Sequence, residues 1–216
     1  MNPTDVLWAV GAYDGGDGRH VPWEISHQEI NRDIGVATAV LAELGLGGGR
    51  VLWCSMLSQA GQHWPFVCGT VLAGAKLSCA DSTFGEALRV SMFTRLMDYD
   101  AVFGVTTALL DGIEASGRTL VDVFDGVRIV GAHPGAYERL DAAGLAPWRV
   151  ALCGPVLAIG REPGGPAFVP AVEWELVDLG GRVGVTSLQP RATTFIRTPI
   201  GLRGTITDGG IVPVAP

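Results

Sequence analysis

Residues 26–54 read SHQEINRDIGVATAVLAELGLGGGRVLWC, an amphipathic helix pattern followed by a short apolar run. Ser26 and Glu29 have the spacing of a capping box, and Gly45 is a typical residue just beyond a helix end. The sequence therefore predicts a helix over 27–44. The apolar run at 50–54 predicts a strand that is covered on both faces.

The same alternation of strand and helix patterns continues along the chain. Short apolar runs occupy 75–79, 101–105, 127–130 and 149–152, and helical patterns cover 84–97, 106–115 and 136–143. Such alternation predicts an α/β fold with a mostly parallel sheet and flanking helices. After Gly160 the apolar spacing changes to two, which predicts a small antiparallel β lobe. We expect an α/β subdomain over 1–160 and a β-rich lobe over 161–216.

The composition indicates a soluble domain without a membrane or nucleic-acid partner. The 216 residues are 48% hydrophobic, and every apolar window is shorter than the ~20 residues of a bilayer span. The N-terminus lacks a secretory signal pattern, so we expect a cytoplasmic protein. The formal net charge is −7, and Lys76 is the only lysine, which disfavours nucleic acid and anionic membranes as partners.

The four cysteines, at 54, 68, 79 and 153, lie in apolar runs without metal-ligand spacing. Neither a zinc site nor a disulfide framework is indicated, so buried, reduced thiols are expected. Histidine 20 could join Asp14, Asp17 and Glu24 in a metal or proton-transfer cluster, but the polarity of a hairpin turn explains it as well.

A glycine-rich segment lies near the start of the chain. It comprises Asp14, Gly15, Gly16, Asp17, Gly18 and Arg19. Glycines accept the positive φ angles that let several backbone N–H groups converge on an anion, so the segment has the form of a phosphate loop. Its two carboxylates would oppose a triphosphate, however. A glycine-rich hairpin turn is the other interpretation.

Several further segments follow in a recognisable order. Residues 13–20 read YDGGDGRH, 100–110 read DAVFGVTTALL, 127–134 read VRIVGAHP and 173–177 read EWELV. Together with 21–53 and 182–203, these segments resemble, in order, motifs of the adenylate-forming (AMP-binding) superfamily, in particular its phenylacetate-CoA ligase branch. The resemblance runs from about Asp5 to Gly204.

The departures from the family pattern concern its nucleotide contacts. The glycine-rich segment replaces the family's Ser, Thr and Lys side chains with carboxylates, glycine and Arg19. Leu157 stands where the family has a magnesium-binding Glu, and leucine cannot ligate a hard cation. Leu202 stands where the family has an Asp that binds the ribose. The resemblance therefore implies a degenerate, truncated member without the family's C-terminal catalytic lysine, for which no ATP, magnesium or other cofactor is expected.

The acyl pocket of such a fold is expected at the carboxyl ends of the parallel strands. There 55–58, 131–133 and 153–156 should surround one crevice, which the resemblance also assigns to the acyl pocket. The candidate substrate-binding residues are Ser55, Ser58, His63, Trp64, Gly131, Ala132, Gly154, Pro155 and Val156.

His133 and Cys153 are the candidate catalytic residues. His133 replaces the Glu of the family's GAEP turn, where it could bind a carboxylate or act in acid–base chemistry, unless it is a surface loop histidine. Cys153 would need a base or a positive dipole to form a thiolate, and packing is its other interpretation. Packing against the second lobe is likewise an alternative for His63, and salt bridges between the lobes account for Arg191 and Arg197.

The leading functional hypothesis is a non-adenylating protein that binds an acyl or aryl carboxylate or thioester without ATP. A CoA thioester is a possible ligand, and a homo-oligomer or a partner enzyme is the expected assembly. The alternative is a repurposed, ATP-independent enzyme that cyclises, rearranges or hydrolyses such a thioester. An acyl-CoA ligase subunit completed in trans is a more remote alternative.

Overall fold

The structure, a computed structural model, describes residues 6–16 and 18–215 and begins with a β-hairpin. Strand β1 (Leu7–Asp14) pairs antiparallel with β2 (His20–Ser26), and the glycine-rich segment joins them. The Gly15 N–H donates to the Arg19 carbonyl across this turn, at 3.0 Å. Residue 17 lies outside the described residues, so the role predicted for Asp17 remains a prediction.

Helix α1 (His27–Glu43) follows the hairpin directly, with the cap that the sequence predicts. The Glu29 N–H donates to Ser26 Oγ at 3.3 Å, and the Ser26 N–H donates to Glu29 Oε2 at 2.8 Å. Gly45 has a φ of 68°, the left-handed conformation that a helix end favours in glycine. The predicted helix is therefore confirmed to within one residue at its C-terminal end.

The elements that follow alternate between strand and helix. The strands are β3 (Arg50–Cys54), β4 (Lys76–Ala80), β5 (Ala101–Val105), β6 (Ile129–Ala132), β7 (Trp148–Cys153), β8 (Val156–Gly160), β9 (Ala167–Phe168), β10 (Trp174–Asp178), β11 (Val183–Ser187), β12 (Thr198–Pro199), β13 (Gly204–Thr207) and β14 (Gly210–Pro213). The helices are α2 (Ala60–Leu72), α3 (Ala87–Leu96), α4 (Thr107–Ala115), α5 (Leu120–Phe124) and α6 (Ala136–Ala142), with 3-10 turns at Leu57–Gln59 and Phe84–Glu86.

Within the described part of the chain, nine strands form the large sheet, in the order β13-β14-β9-β8-β7-β6-β5-β3-β4. The block from β4 to β7 is parallel, and the strands from β8 outward join it antiparallel. Strands β10, β11 and β12 form a separate small antiparallel sheet. The predicted α/β class with a small antiparallel sheet is confirmed.

The antiparallel edge of the large sheet shows a pairing that the sequence did not predict. Strands β9, β13 and β14 come from the predicted β lobe but extend the large sheet instead of the small one. The predicted boundary at residue 160 remains a prediction. After that residue the chain leaves the large sheet for the small one after β9 and returns to it at β13.

Alternate residues of the parallel strands face two different cores. Val51, Trp53 and Phe103 belong to the core that contains Leu41 of α1 and Phe66 of α2. Leu52, Cys54 and Val102, on the other face, pack in the core that contains Val90 of α3 and Leu110 of α4. The helices therefore cover both faces of the sheet, as expected for parallel strands.

A bulge in β5 brings two backbones close together. Gly104 has a φ of 82°, and the pairing of β5 with β6 shifts register between Phe103 and Val105. A Cβ atom at position 104 would overlap the carbonyl oxygen of Cys54 on β3. This position requires glycine for both its backbone angle and its lack of a side chain.

An ion-pair cluster joins α1 to the segment between β11 and β12 and to Glu173, just before β10. Arg191, whose side chain is 4% exposed, binds Asp33 at 2.7 Å and Glu173 at 2.8 Å, and stacks on Trp174. Arg32 binds the same Glu173 at 2.8 Å. Arg191 therefore forms salt bridges to residues on both sides of position 160, while the division into two lobes remains a prediction. Arg197 is exposed, and its N–H donates to Thr186 Oγ1 at 3.0 Å.

Candidate functional site

In the glycine-rich segment, a backbone N–H donates a hydrogen bond to the side chain of Asp14. The Gly16 N–H donates to Asp14 Oδ1 at 2.7 Å, and the Gly201 N–H donates to the Asp14 carbonyl at 2.8 Å. Gly16 and Gly18 have φ angles of 89° and 76°, which non-glycine residues rarely adopt. Asp14 thus stands where a phosphate loop would present its backbone N–H to a ligand.

A cavity of about 520 Å³ opens beside this segment, and we call it the glycine-loop cavity. Its lining residues are Asp14, Gly16, Gly18, His133, Pro134, Leu152, Gly201, Leu202, Arg203 and Val214. Leu202, the residue at the family's ribose-binding position, contributes an apolar side chain to this wall. Among the described lining residues of this cavity, Arg203 carries the positive charge. The cavity therefore presents a mixed surface, in which an aspartate already occupies the backbone donor of Gly16.

A second cavity, of about 270 Å³, also lies at the carboxyl ends of the parallel strands, between α2, the end of β4 and the start of α3. We call it the helix-edge pocket. Its lining residues are Ser55, Met56, Leu57, Ala60, His63, Trp64, Val67, Cys79, Ala80, Asp81 and Arg89. The pocket is mostly apolar and has a few polar groups, the usual composition of a small-molecule site, at the lower end of the usual volume range.

His63 is the most enclosed polar side chain of the helix-edge pocket. It is 1% exposed, and Nδ1 lies 3.2 Å from the Gln59 carbonyl, to which it donates in the Nδ1–H tautomer. Nε2 is buried without a hydrogen-bond partner among the described residues. Burial lowers the pKa of His63 to about 4, and the bond to Gln59 opposes this shift. At neutral pH the ring is uncharged and has an unused acceptor nitrogen.

His133 contacts His63 from the glycine-loop cavity. The two ring centroids are 6.2 Å apart in an edge-to-face arrangement, and Trp53 packs against the other side of His63, also at 6.2 Å. Burial and, to a smaller extent, the charge of His63 lower the pKa of His133 to about 3. The histidine pair therefore separates the two cavities as a neutral, aromatic wall.

The turn between β7 and β8 contributes to a third and much smaller cavity. Pro155 and Val156 line a space of about 20 Å³ together with Gln62, which is room for a single water molecule. Gln62 Nε2 donates to the Gly154 carbonyl at 3.0 Å, while its Oε1 has no partner among the described residues. Gly154 has a φ of 65°, and a Cβ there would meet Ile200.

Cys153 lies in an apolar environment. It is fully buried in the core that contains Tyr13 and Trp23. Burial raises the pKa of its thiol to about 12, so the nucleophilic thiolate is disfavoured at neutral pH. These surroundings favour the packing interpretation, and the catalytic assignment of Cys153 is left as a prediction. The expectation of burial is corrected for Cys79, which is exposed on the edge strand β4, and for Cys68, which is only partly buried.

The structure thus brings some predicted site residues together and separates others. Ser55, His63 and Trp64 share the helix-edge pocket, whereas Ser58 is exposed on the preceding 3-10 turn. Gly131 and Ala132 are buried within β6, where a Cβ on Gly131 would meet the ring of Phe103 at 2.5 Å. The predicted single crevice is therefore divided, because α2 and its histidine fill the space between the strand ends.

Sequence reasoning missed Arg89 and Gln62. Arg89 lines the helix-edge pocket from α3 and forms an ion pair with Glu86, at 3.1 Å. It is the pocket's only cation among the described lining residues and the natural partner for an anionic group there. The sequence signal that could have identified Arg89 was its position in the first turn of the helix after β4. Neither Arg89 nor Gln62 belongs to a motif.

Residues 6–16 and 18–215 contain no group of three or more His, Cys, Asp or Glu side chains placed to hold a metal ion. None of the helices formed by these residues is long and apolar enough to cross a membrane.

Comparison with known proteins identifies the fold. No protein-family model and no curated protein matches the chain. A 2-hydroxyisobutyryl-CoA ligase in complex with 2-HIB-AMP matches 99% of this chain and 51% of its own, with a TM-score of 0.69 and 15% identity. The N-terminal subdomain of NpsA from Klebsiella oxytoca, in complex with 3-hydroxybenzoyl-AMSN, matches 99% of this chain and 65% of its own, with a TM-score of 0.63 and 12% identity.

An o-succinylbenzoate CoA synthetase from Bacillus subtilis also matches, over 96% of this chain and 48% of its own, with a TM-score of 0.57 and 12% identity. The chain spans about half the length of the CoA ligases it matches. The resemblance drawn from the motifs is thereby confirmed for the fold, which is that of the adenylate-forming ligases.

Proposed function

On this ligase fold, we propose that the chain binds a small acyl or aryl ligand, as a carboxylate or a thioester, without using ATP. The observation that carries the proposal is the unpartnered Nε2 of His63, buried at the wall of the mostly apolar helix-edge pocket. A buried acceptor without a partner is costly, and a ligand that donates a hydrogen bond would satisfy it.

The remaining lining of the pocket suits an aryl or acyl group. Trp64, Met56 and Val67 offer apolar surface for a ring or a short chain. Arg89 supplies a cation for a carboxylate or for the phosphates of a CoA thioester. A hydroxyaryl or hydroxyacyl group is the ligand chemistry that satisfies both the apolar lining and the acceptor on His63.

The glycine-rich segment supports the ATP-independent part of the proposal. Asp14 accepts the Gly16 N–H at 2.7 Å, so a nucleotide phosphate would have to displace a carboxylate from its own backbone donor. Leu157, at the family's magnesium-binding position, is fully buried in an apolar core. Leu202 offers no hydrogen bond to a ribose.

The test is isothermal titration of the purified protein with 3-hydroxybenzoate, 3-hydroxybenzoyl-CoA, benzoate and ATP with magnesium. We expect binding of a hydroxyaryl probe, weaker binding of benzoate and no heat from ATP. His63→Leu should lower the affinity for the hydroxyaryl probe by about tenfold or more. The substitution removes the acceptor nitrogen and keeps an apolar side chain of similar size. His27→Leu, at an exposed position on α1, is the matched control and should bind as the parent does.

Each other outcome points to a different function. Tight binding of ATP would overturn the ATP-independent interpretation and favour a ligase subunit completed in trans. Turnover of the thioester would favour the repurposed enzyme, with His133 as the first residue to replace. Equal affinity of the His63→Leu variant and the parent for the hydroxyaryl probe would refute the assignment of the helix-edge pocket.

A further inference from the structure

Strand β4 ends the large sheet, and its outer side is open. Among the residues that the structure describes, no strand pairs with β4 except β3. The Lys76 N–H donates to Gly49 and the Ala80 carbonyl accepts from Ser55, so 76, 78 and 80 direct their backbone groups toward β3. Leu77 and Cys79 therefore direct their N–H and C=O groups to the open side. An unprotected edge of this kind is a template for pairing with another chain.

Large apolar side chains are exposed on the helices that cover the two faces of the sheet. On α3 and the 3-10 turn before it, Phe84, Leu88, Met92 and Leu96 recur every four residues and form one exposed stripe. On the α2 side, Leu57 and Trp64 are exposed and line the helix-edge pocket together with Cys79 of β4. Helices α2 and α3 cover opposite faces, because they pack in different cores.

The exposed apolar area is a large part of the area that a stable dimer buries. The six side chains are between 42% and 89% exposed. At the about 150–250 Å² that a large side chain offers in full, they expose on the order of 600 Å², most of the about 800 Å² that each partner buries in a standard interface.

We propose that a second copy of this chain pairs with β4 edge to edge, about a two-fold axis perpendicular to the sheet. One register uses every open backbone group of the strand: Leu77 opposite the partner's Cys79, and Ser78 on the axis. It forms two hydrogen-bonded residue pairs, with two N–H···O bonds in each. The axis also brings each α3 stripe against its copy on one face of the sheet.

Charge complementarity supports the same antiparallel register. Lys76 begins β4, and Asp81 follows its last residue. In the proposed pairing Lys76 lies opposite the partner's Ala80 and therefore next to the partner's Asp81, at each end of the strand pair. A parallel pairing would instead place like charges side by side. The inference does not rest on the proposed ligand, because its test uses the protein alone.

The first test is sedimentation analysis of the parent protein across the micromolar range, where we expect a dimer. Cys79→Pro removes an outward N–H without touching the bonds to β3, so the chain should fold and dissociate at least about tenfold more readily. Leu88→Asp should also give a monomer, whereas Val121→Asp, at an exposed position on α5, should leave the dimer intact. Denaturant unfolding of each variant confirms that it folds.

A crosslinking experiment tests the register. In a Cys79→Ser background, Ser78→Cys should form an intermolecular disulfide under mild oxidation, because residues that face each other across the axis have Cα atoms about 4.5 Å apart. Lys76→Cys is the control and should not crosslink, since the register separates the two copies of residue 76 by about 13 Å. A parent that is monomeric throughout, or a dimer that survives Cys79→Pro and does not crosslink through Ser78→Cys, would overturn the proposal.

Discussion

Acidification should destabilise the protein through its buried histidines, and His63→Leu should remove the part of that effect that belongs to His63. The folded-state pKa of about 4 lies below the ordinary value of 6.5, because burial disfavours the charged ring. The unfolded chain therefore binds more protons between these two values, so stability rises with pH across the window. It is retained above pH 6.5 and is lost as the pH falls from there toward 4.

The size of the effect follows from the two pKa values. For a single group shifted from 6.5 to about 4, the free energy of unfolding at pH 5 is lower than at pH 7.5 by about 2 kcal/mol. For a chain of this length the loss corresponds to a melting temperature lower by about 4–8 °C. His133 acts in the same direction, since its folded-state pKa is also lowered, to about 3. The loss of stability that is due to His133 should continue to a lower pH than the loss that is due to His63.

The assay is urea unfolding at pH 7.5 and pH 5, followed by tryptophan fluorescence. The parent and the His27→Leu control should lose stability between the two conditions, and His63→Leu should lose about 2 kcal/mol less than either. If His63→Leu and the parent lose the same amount, the imidazole at position 63 is not held neutral by burial. The reasoning on the histidine pair would then be refuted.

Three further outcomes are expected. Gly104→Ala should abolish folding or cost more than about 3 kcal/mol in urea unfolding, whereas Gly126→Ala, with the same backbone angle but open space around it, should cost about 1 kcal/mol. Arg191→Met should cost about 3–5 kcal/mol because it strands buried carboxylates, and Arg139→Met, in a partly exposed ion-pair cluster, should cost about 1 kcal/mol or less; equal costs would refute the importance of burial. In the folded protein Cys79 should react with a thiol reagent at low protein concentration faster than the buried thiols, as mass spectrometry of labelled peptides can show.

The local part of the fold could be predicted because it depends on local chemistry. Helix α1 carries its own start signal at Ser26 and its own stop signal at Gly45, and the parallel strands are continuous apolar runs. Helix α2 was missed because Pro65 interrupts its pattern, and apolar residues surround it. Pro65 is the sixth residue of α2, where it lacks the N–H that would donate to the carbonyl four residues earlier.

The distant part of the fold and most of the site could not be predicted in this way. The pairing of β14 with β9 depends on a contact between Ile211 and Ala167, which no local pattern encodes. The expected crevice was inferred from the rule that ligands bind at the carboxyl ends of parallel strands. That rule correctly placed Ser55 and His133 at these strand ends. It could not show that His63 would stand between them, because the position of α2 is set by its packing on α1 and the sheet.

The carboxylate of Asp14 has a consequence for any free anion that approaches the glycine-rich segment. Because the side chain belongs to the same turn as the Gly16 N–H, it meets that donor at an effective concentration of at least millimolar order. A dissolved phosphate must displace this carboxylate before it can accept a hydrogen bond from the Gly16 N–H. The turn therefore disfavours anion binding at this N–H through its own side chain. Asp14→Gly removes that carboxylate and would return the Gly16 N–H to solvent.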